Sequence, residues 1–234
     1  MRKPSPLIHK KDSDKPDRRP PKAVLVEDHL MFREWLAQMV ARDSACEVCG
    51  QTDNIRDALQ IILRTRPDIV IVDLTLQGSS GLELIKDMRA QGLTIPVLVL
   101  SMHAESVYAE RSLRAGARGY VSKSEASTTV SQAIKQILSG QVFLSENMTE
   151  SVIEKISGHR DSAKVSGFDL LSDRELEVLQ LIGKGCIGRE IAARLNLGQT
   201  TVETYRARIK EKLGLRNAAE VYARAAQWVH EQGL

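Results

Sequence analysis

The sequence predicts an α/β domain built on a five-stranded, doubly wound parallel sheet, followed by an all-α domain of four helices. Five short apolar runs, at 23–26, 46–50, 69–72, 97–100 and 120–121, lack polar alternation. Such runs are typical of strands buried on both faces. Stretches with apolar residues at helical spacing lie between the runs, and from 168 onward only the helical spacing continues. Alternating strands and helices predict a parallel sheet with helices on both faces.

Five polar side chains lie at or just past the ends of these runs: Glu27, Asp28, Asp73, Ser101 and Lys123. Ligands of open parallel sheets bind at the carboxyl edge, so residues spread along the chain converge there. Carboxylates, a hydroxyl and an amine at one edge indicate a site for a phosphoryl group and a divalent cation.

The residue types predict how this site acts. A carboxylate at Asp73 can attack a phosphoryl donor and become an acyl phosphate. Glu27 and Asp28 would hold Mg²⁺ together with Asp73 and a backbone carbonyl, for which we expect Thr75, because Mg²⁺ prefers oxygen ligands. Lys123 would pair with the carboxylate and then with the phosphoryl oxygens. The Ser101 hydroxyl can hydrogen-bond a phosphoryl oxygen only once such an oxygen is present, and such a differential contact is what a switch requires.

Residues 22–139 resemble a response-regulator receiver domain, a flavodoxin-like fold. The matching pieces are Val-Glu-Asp-His at 26–29, Ile-Val-Asp-Leu at 71–74, Gly81, Ser101 after Val-Leu-Val-Leu, and Gly-Tyr-Val-Ser-Lys at 119–123. The resemblance implies that a sensor histidine kinase phosphorylates Asp73 and that Ser101 and Tyr120 move in response. Ser124 stands where such domains frequently have a proline.

The second domain, over 168–234, begins with Ser172 and Glu175 spaced as a capping box. We expect helices over 173–183, 189–195, 200–213 and 217–229, with a tight turn before the third, as in a helix-turn-helix module. The third helix carries an apolar stripe formed by Val202, Tyr205, Ile209 and Leu213. The rest of this helix is polar and basic, and we expect it to contact double-stranded DNA through Thr200, Thr201, Glu203, Thr204, Arg206, Arg208, Lys210 and Lys212.

This segment is similar to the LuxR-type helix-turn-helix domain of NarL/FixJ-class response regulators. The similarity rests on Leu171-Ser172-x-x-Glu175, Glu190-Ile191-Ala192-x-x-Leu195, Thr201-Val202 and Lys212-Leu213. Glu203 departs from the lysine that is common there, and an acid at this place can accept a hydrogen bond from cytosine N4.

The remaining segments carry less chemistry. Residues 1–21 contain five prolines among many charges and predict a disordered basic tail. Residues 140–167 predict a linker with one helix over 146–156. Cys46 and Cys49 form a CxxC pair without two further zinc ligands, so we expect no metal there. No apolar stretch is long enough for a membrane span, and we expect a cytoplasmic protein without a membrane partner.

The sequence therefore predicts a two-component transcriptional regulator, Mg²⁺-dependent and phosphorylated on Asp73, that binds DNA and forms a homodimer when active. One alternative is a DNA-binding regulator whose receiver responds to a protein partner without phosphate. An enzyme of the haloacid-dehalogenase type would need a second Asp two residues after the nucleophile, where Thr75 stands. We therefore expect no enzymatic activity of that kind.

Overall fold

A computed structural model describes residues 19–44, 46–76, 79–102, 105–146, 148–149 and 167–232. The expectations for most of the tail and most of the linker lie outside the described residues. The strands are β1 Lys22–Val26, β2 Glu47–Thr52, β3 Ile69–Asp73, β4 Thr75–Leu76, β5 Ser79–Ser80, β6 Val97–Ser101 and β7 Gly119–Ser122. The first five helices are α1 Leu30–Asp43, α2 Ile55–Thr65, α3 Gly81–Ala90, α4 Glu105–Ala115 and α5 Ala126–Leu138. Four more follow in the second domain: α6 Asp173–Gly183, α7 Gly188–Leu195, α8 Gln199–Lys212 and α9 Ala218–Glu231.

The main sheet has five parallel strands in the order β2-β1-β3-β6-β7, which confirms the predicted fold class. The register aligns Val26 with Val72, Asp73 with Leu100, and Ser101 with Ser122, so the carboxyl ends of the inner strands meet at one edge. A short antiparallel hairpin, β4 and β5, follows the central strand directly and was not predicted.

Alternate residues of each strand enter opposite cores, because strand side chains point alternately to the two faces. In β1, Val24 and Val26 pack with α2, α3 and α4, whereas Ala23 and Leu25 pack with α1 and α5. All residues of β3 and β6 are buried. The sheet is therefore covered on both faces, as the unbroken apolar runs predict.

The second domain contains the four predicted helices, with boundaries that differ from the expectation by at most two residues. The capping box is confirmed: the Ser172 hydroxyl accepts from the Glu175 N–H at 3.3 Å, and the Glu175 carboxylate accepts from the Ser172 N–H at 2.7 Å. At α7 only half of such a box forms, because Ile187 has no side-chain acceptor and only its N–H binds Glu190, at 3.1 Å.

The three cysteines are free thiols. Cys46 precedes β2 and its Sγ lies 3.5 Å from the Ser44 carbonyl, whereas the Cys49 Sγ lies 3.4 Å from the Ala23 carbonyl. The thiols of Cys46 and Cys49 thus donate to two different backbone carbonyls.

Candidate phosphoacceptor site and nucleic-acid interface

The polar residues singled out in the sequence lie at the carboxyl edge of the main sheet. Asp73 is the last residue of β3 and Ser101 the last residue of β6, whereas Glu27 and Lys123 directly follow β1 and β7. Because the strands are parallel and in register, these ends are neighbours. The Asp73 side chain is 4% exposed and the Glu27 side chain 1%, so both carboxylates lie in a largely desolvated site.

Lys123 joins the two buried carboxylates. Its Nζ lies 2.7 Å from Glu27 Oε2 and 2.8 Å from Asp73 Oδ2. The other Asp73 oxygen, Oδ1, accepts a hydrogen bond from the Thr75 N–H at 3.2 Å. The ammonium also lies 4.6 Å from the centroid of the Phe32 ring. These contacts hold Lys123 over the carboxylate that the sequence predicts as phosphoacceptor.

Burial and ion pairing shift the pKa values of Asp73 and Lys123 in opposite directions. Burial raises the pKa of Asp73 to about 7, while the charge of Lys123 and the Thr75 N–H lower it. For Lys123, burial opposes the charged form, but Asp73 and Glu27 outweigh it and raise the pKa of the ammonium. Lys123 therefore stays charged, and additional positive charge at the site would favour the ionised form of Asp73.

The donor set fits a hard divalent cation. Glu27, Asp28, His29 and Asp73 each offer a ligand atom, and these atoms lie within 4.8 Å of one another. The cluster holds three carboxylates but one lysine ammonium, which pairs with Glu27 and Asp73. The surplus of negative charge and oxygen donors suits Mg²⁺. His29 was not predicted as a site residue, but its Nδ1 lies 2.9 Å from Asp28 Oδ1 and 3.2 Å from Glu27 Oε1. The pattern at 26–29 contained the residue, yet nothing in its spacing indicated a contact.

The two predicted switch residues, Ser101 and Tyr120, are in contact. Both are buried, with residue exposures of 0% and 1%, and a side-chain hydrogen bond links them. Burial raises the pKa of Tyr120 far above its usual range, so the phenol is protonated. Tyr120 pairs in the sheet with Val99 of the neighbouring strand, which places it behind the phosphoacceptor edge.

The candidate phosphoacceptor site lies against the second domain. Arg174, near the start of α6, donates from Nη2 to the carbonyls of Leu76 at 3.0 Å and Ser79 at 2.6 Å, in the hairpin that follows Asp73. Its Nη1 lies 2.5 Å from Glu177 Oε2, and both side chains are buried. Burial raises the pKa of Glu177 to about 7, against the lowering effect of Arg174.

A second arginine makes a similar connection from α4. Arg111 donates to the carbonyls of Phe168 at 2.8 Å and Leu171 at 2.9 Å, and it pairs with Asp173 at 3.2 Å. Lys86 of α3 pairs with the same aspartate at 3.1 Å. Sequence reasoning did not find these contacts, which tie the entry of the second domain to the receiver face around α3 and α4.

A cavity of about 260 Å³ opens beside the acidic cluster and is lined by both domains. Asp28, His29 and Thr75 lie on the receiver side, and Arg194 at the end of α7 and Asn196 just after it lie on the other. The mouth of the phosphoacceptor site is thus partly formed by the helix-turn-helix module.

The face of α8 that the sequence predicts for DNA is exposed. Its exposed members include Thr200, Thr201, Glu203, Thr204, Arg208 and Lys210. Two predicted contacts have partners within the domain: Lys212 Nζ lies 2.6 Å from Glu175 Oε2, and Arg206 Nη1 lies 2.7 Å from Glu203 Oε1. The core stripe is confirmed, because Val202 and Ile209 are buried and Tyr205 and Leu213 partly so.

Comparison with known protein families matches two separate parts of the chain. Residues 23–135 match the response regulator receiver domain family, and residues 169–225 match the bacterial regulatory proteins of the luxR family. The chain is 31% identical to a nitrate/nitrite response regulator protein homolog of Haemophilus influenzae, over 83% of this chain and 90% of the relative. It is also 31% identical to response regulator GacA of Pseudomonas aeruginosa, over 86% of this chain and 92% of the relative.

Solved structures show the same architecture. A LuxR-family two-component response regulator from Aurantimonas sp. superposes with a TM-score of 0.55 and 31% identity, covering 59% of this chain and 99% of that one. The RcsB response regulator of Salmonella typhimurium covers 89% of this chain and 98% of its own, with a TM-score of 0.60 and 22% identity, and supports the fold alone.

Fold, site and relatives define a protein class in which a receiver domain precedes a LuxR-type helix-turn-helix domain. The chain belongs to the two-component response regulators of this class, a family of DNA-binding transcription regulators. Regulators of this kind partner with sensor kinases. Within the part of the chain that the structure describes, no helix is long and apolar enough to cross a bilayer.

Proposed function

We propose that a sensor histidine kinase phosphorylates Asp73 in a Mg²⁺-dependent reaction, and that the phosphoryl group controls sequence-specific DNA binding by the second domain. We assign the receiver to 22–139 and the DNA-binding domain to 168–234. The active form is a homodimer, since the DNA-binding domain is only mildly basic and one copy contributes few phosphate contacts. The observation that carries the proposal is the buried cluster of Asp73, Glu27 and Lys123 at one sheet edge.

In the transfer step, a carboxylate oxygen of Asp73 attacks phosphorus. The bond from phosphorus to the donor imidazole nitrogen breaks, that nitrogen leaves with the electron pair, and an acyl phosphate forms. Lys123 lies beside the attacking carboxylate and can pair with the phosphoryl oxygens that arrive. Glu27, Asp28, Asp73 and the Thr75 carbonyl are the residues that would hold Mg²⁺, which supplies positive charge to the phosphoryl group.

The contacts between the domains support a route for control. Thr75 and Leu76 lie two and three residues after Asp73, and the Leu76 carbonyl is a partner of Arg174. Ser101 and Tyr120 lie beside α4, whose Arg111 binds the carbonyls of Phe168 and Leu171. A rearrangement at either element on phosphorylation changes the partners of an arginine that joins the domains. We propose that this releases the DNA-binding domain.

For DNA we propose that α8 enters the major groove. Thr200, Thr201 and Thr204 lie near its amino end, from which recognition helices contact base edges. Arg208 and Lys210 lie farther along and are suited to phosphates. Lys212 is the weakest of the predicted contacts, because its ammonium pairs with the capping-box carboxylate of Glu175.

The test uses the full chain with acetyl phosphate, with and without Mg²⁺, and follows intact mass, oligomeric state and affinity for selected DNA. We expect a gain of one phosphoryl group that requires Mg²⁺, dimer formation and tighter DNA binding. Asp73→Asn should prevent all three changes. Asp87→Asn, an exposed acid of α3, serves as the matched control and should change none of them.

A second series tests the metal ligands. Asp28→Asn and Glu27→Gln should raise the Mg²⁺ concentration needed for half-maximal phosphorylation. Phosphorylation that proceeds equally well without Mg²⁺ would contradict the metal assignment. DNA binding that responds to a stimulus in the Asp73→Asn protein would favour a receiver controlled by a protein partner without phosphate.

A further inference from the structure

The face of α8 proposed for DNA carries an acid in its first half, Glu203, which contacts Arg206. Glu203 Oε1 accepts a hydrogen bond from Arg206 Nη1 at 2.7 Å. Arg206 Nη2 donates in turn to the hydroxyl of Tyr222, on α9. The guanidinium also lies over the Tyr222 ring, with Cζ 5.0 Å from the centroid. We call Glu203, Arg206 and Tyr222 the Glu203 triad.

The carboxylate of the Glu203 triad also lies close to α7. A Cβ atom on Gly188, the first residue of α7, would be 3.2 Å from Glu203 Oε1 and 3.9 Å from Arg206 Nη1. One carboxylate oxygen is thus confined between a glycine and a guanidinium. The Glu203 side chain as a whole is nevertheless 61% exposed. Of the two Glu203 carboxylate oxygens, Oε1 has a hydrogen-bond partner among the described residues and Oε2 has none there.

The arrangement resolves an electrostatic conflict. A lone carboxylate on a recognition helix is repelled by DNA phosphates, but the Arg206 charge beside it offsets much of this repulsion. Arg206 is itself 20% exposed, and it donates from Nη1 to Glu203 and from Nη2 to Tyr222. It is therefore less available to a phosphate than the exposed Arg208 on the same helix.

The free oxygen has a defined chemical partner in a major groove. An acceptor-only side chain pairs with the exocyclic N4 amine of cytosine, whereas the other bases present acceptors or mixed patterns. Glu203 lies in the first half of α8, from which recognition helices contact base edges. Geometry and chemistry both indicate base recognition.

We propose that Tyr222, acting through Arg206, holds Glu203 in the orientation in which its Oε2 accepts a hydrogen bond from cytosine N4 in the operator. Tyr222 is then a positioning residue for sequence recognition, although it lies on α9 and not on the recognition helix. Arg206 belongs to the Glu203 triad and is not a phosphate contact. The inference rests on the DNA binding proposed above for α8, and it is independent of the phosphorylation of Asp73.

The test selects duplexes from a randomised library with the full chain after treatment with acetyl phosphate and Mg²⁺. Affinities are then measured for the selected duplex and for its three substitutions at each conserved position. We expect the wild-type protein to prefer cytosine at one position of each half-site by at least about fivefold. Glu203→Gln should move the preference at that position away from cytosine. Tyr222→Phe, which keeps the ring and removes only the hydroxyl, should reduce it to below about twofold without weakening binding to unrelated duplexes.

Three further variants complete the design. Tyr205→Phe removes a hydroxyl from α8 outside the Glu203 triad and should keep the cytosine preference. Arg208→Gln should weaken binding to all sequences and reduce the slope of log affinity against log salt by about one. Arg206→Gln should instead reduce the cytosine preference.

A Tyr222→Phe protein with unchanged cytosine preference, or with equal loss of affinity on every duplex, would overturn the inference. Binding without any cytosine position would overturn it as well. Absence of all duplex binding by the wild-type protein at low salt would overturn both the inference and the proposed DNA contacts. Selection of DNA by a protein that takes up no phosphoryl group would count only against the proposed phosphorylation.

Discussion

Replacing Arg174 with Met should open the contact between the two domains. The guanidinium supplies hydrogen bonds to the Leu76 and Ser79 carbonyls at 3.0 and 2.6 Å and the ion-pair partner of Glu177 at 2.5 Å. Removing one partner of a buried ion pair typically costs about 3–5 kcal/mol, and the two receiver carbonyls lose charged donors as well. In the opened form all these groups are solvated, so the cost falls on the packed arrangement of the domains.

The energetic cost of Arg174→Met depends on pH, because the unpaired Glu177 carboxylate becomes neutral when it takes up a proton. Burial raises the pKa of Glu177 from 4.5 to about 7 in the packed arrangement. A carboxylate with a raised pKa binds its proton more tightly when packed, so it favours packing at low pH and weakens it as pH rises from about 4.5 to about 7. In Arg174→Met the pKa of Glu177 rises further, so the pH range over which packing weakens extends above about 7. Within that range the packed arrangement loses about 1.4 kcal/mol per pH unit.

Amide hydrogen exchange measures the opening of the domain contact, and small-angle scattering gives a second measurement. We expect faster exchange in β4 and over 168–174 in Arg174→Met, and a larger radius of gyration at about pH 8.5 than at about pH 6. Glu177→Gln in the Arg174→Met background should remove the pH dependence. Arg189→Met, an exposed arginine of α7, is the matched control. Equal exchange and equal dimensions in the Arg174 and Arg189 variants at both pH values would refute the assigned role of Arg174.

Three further predictions concern the site and the second domain. Lys123→Met should slow phosphorylation by acetyl phosphate roughly 100-fold, since it removes the charge beside the attacking carboxylate. Intact mass measured over time gives the rate, and Lys135→Met is the control. An unchanged rate would exclude a role of Lys123 in the transfer. Glu175→Gln should destabilise the protein by about 1 kcal/mol at neutral pH. Burial opposes the Glu175 charge, but Lys212 and Ser172 outweigh burial and lower the pKa of Glu175 below 4.5. The stabilisation by the charged carboxylate is therefore present above about pH 4.5 and disappears as the pH falls through the pKa of the folded state. Urea unfolding at two pH values measures this loss, and a loss that persists in acid would contradict the charge argument. Gly183→Ala should destabilise the protein by about 1–3 kcal/mol in thermal unfolding, because its Cβ would lie 2.5 Å from a carbonyl oxygen of α9. Gly198→Ala is the control, since its Cβ would meet only a hydroxyl at 3.6 Å and little loss is expected. Equal melting temperatures for the two variants would show that α6 and α9 adjust.

The features that sequence reasoning predicted depend on local patterns. The strands of the main sheet are short apolar runs and the helices follow a 3.6-residue period, so each element is specified by its own residues. The cluster of Glu27, Asp73 and Lys123 also followed from the sequence. Parallel strands in a doubly wound sheet bring their carboxyl ends to one edge, whatever the length of the connections.

Other features had no local signal. The Thr75–Leu76 and Ser79–Ser80 strands are too short for a periodic pattern. Arg174 contacts residues 98 and 95 positions away. Its role in joining the domains therefore cannot be read from its neighbours. Tyr222 lies 16 positions from Arg206 and on another helix, so nothing in the local sequence indicated their contact.

The sequence by itself determined the two kinds of domain, the order of the helices and main-sheet strands, and the polar residues at the carboxyl edge of that sheet, because hydrophobic periodicity and strand ends are properties of short segments. Only the tertiary structure decided the partners of the charged side chains. Whether Arg206 binds a phosphate or Glu203, and whether Arg174 stays in solvent or joins the domains, depends on which groups the fold brings within hydrogen-bond distance and how far it removes them from water.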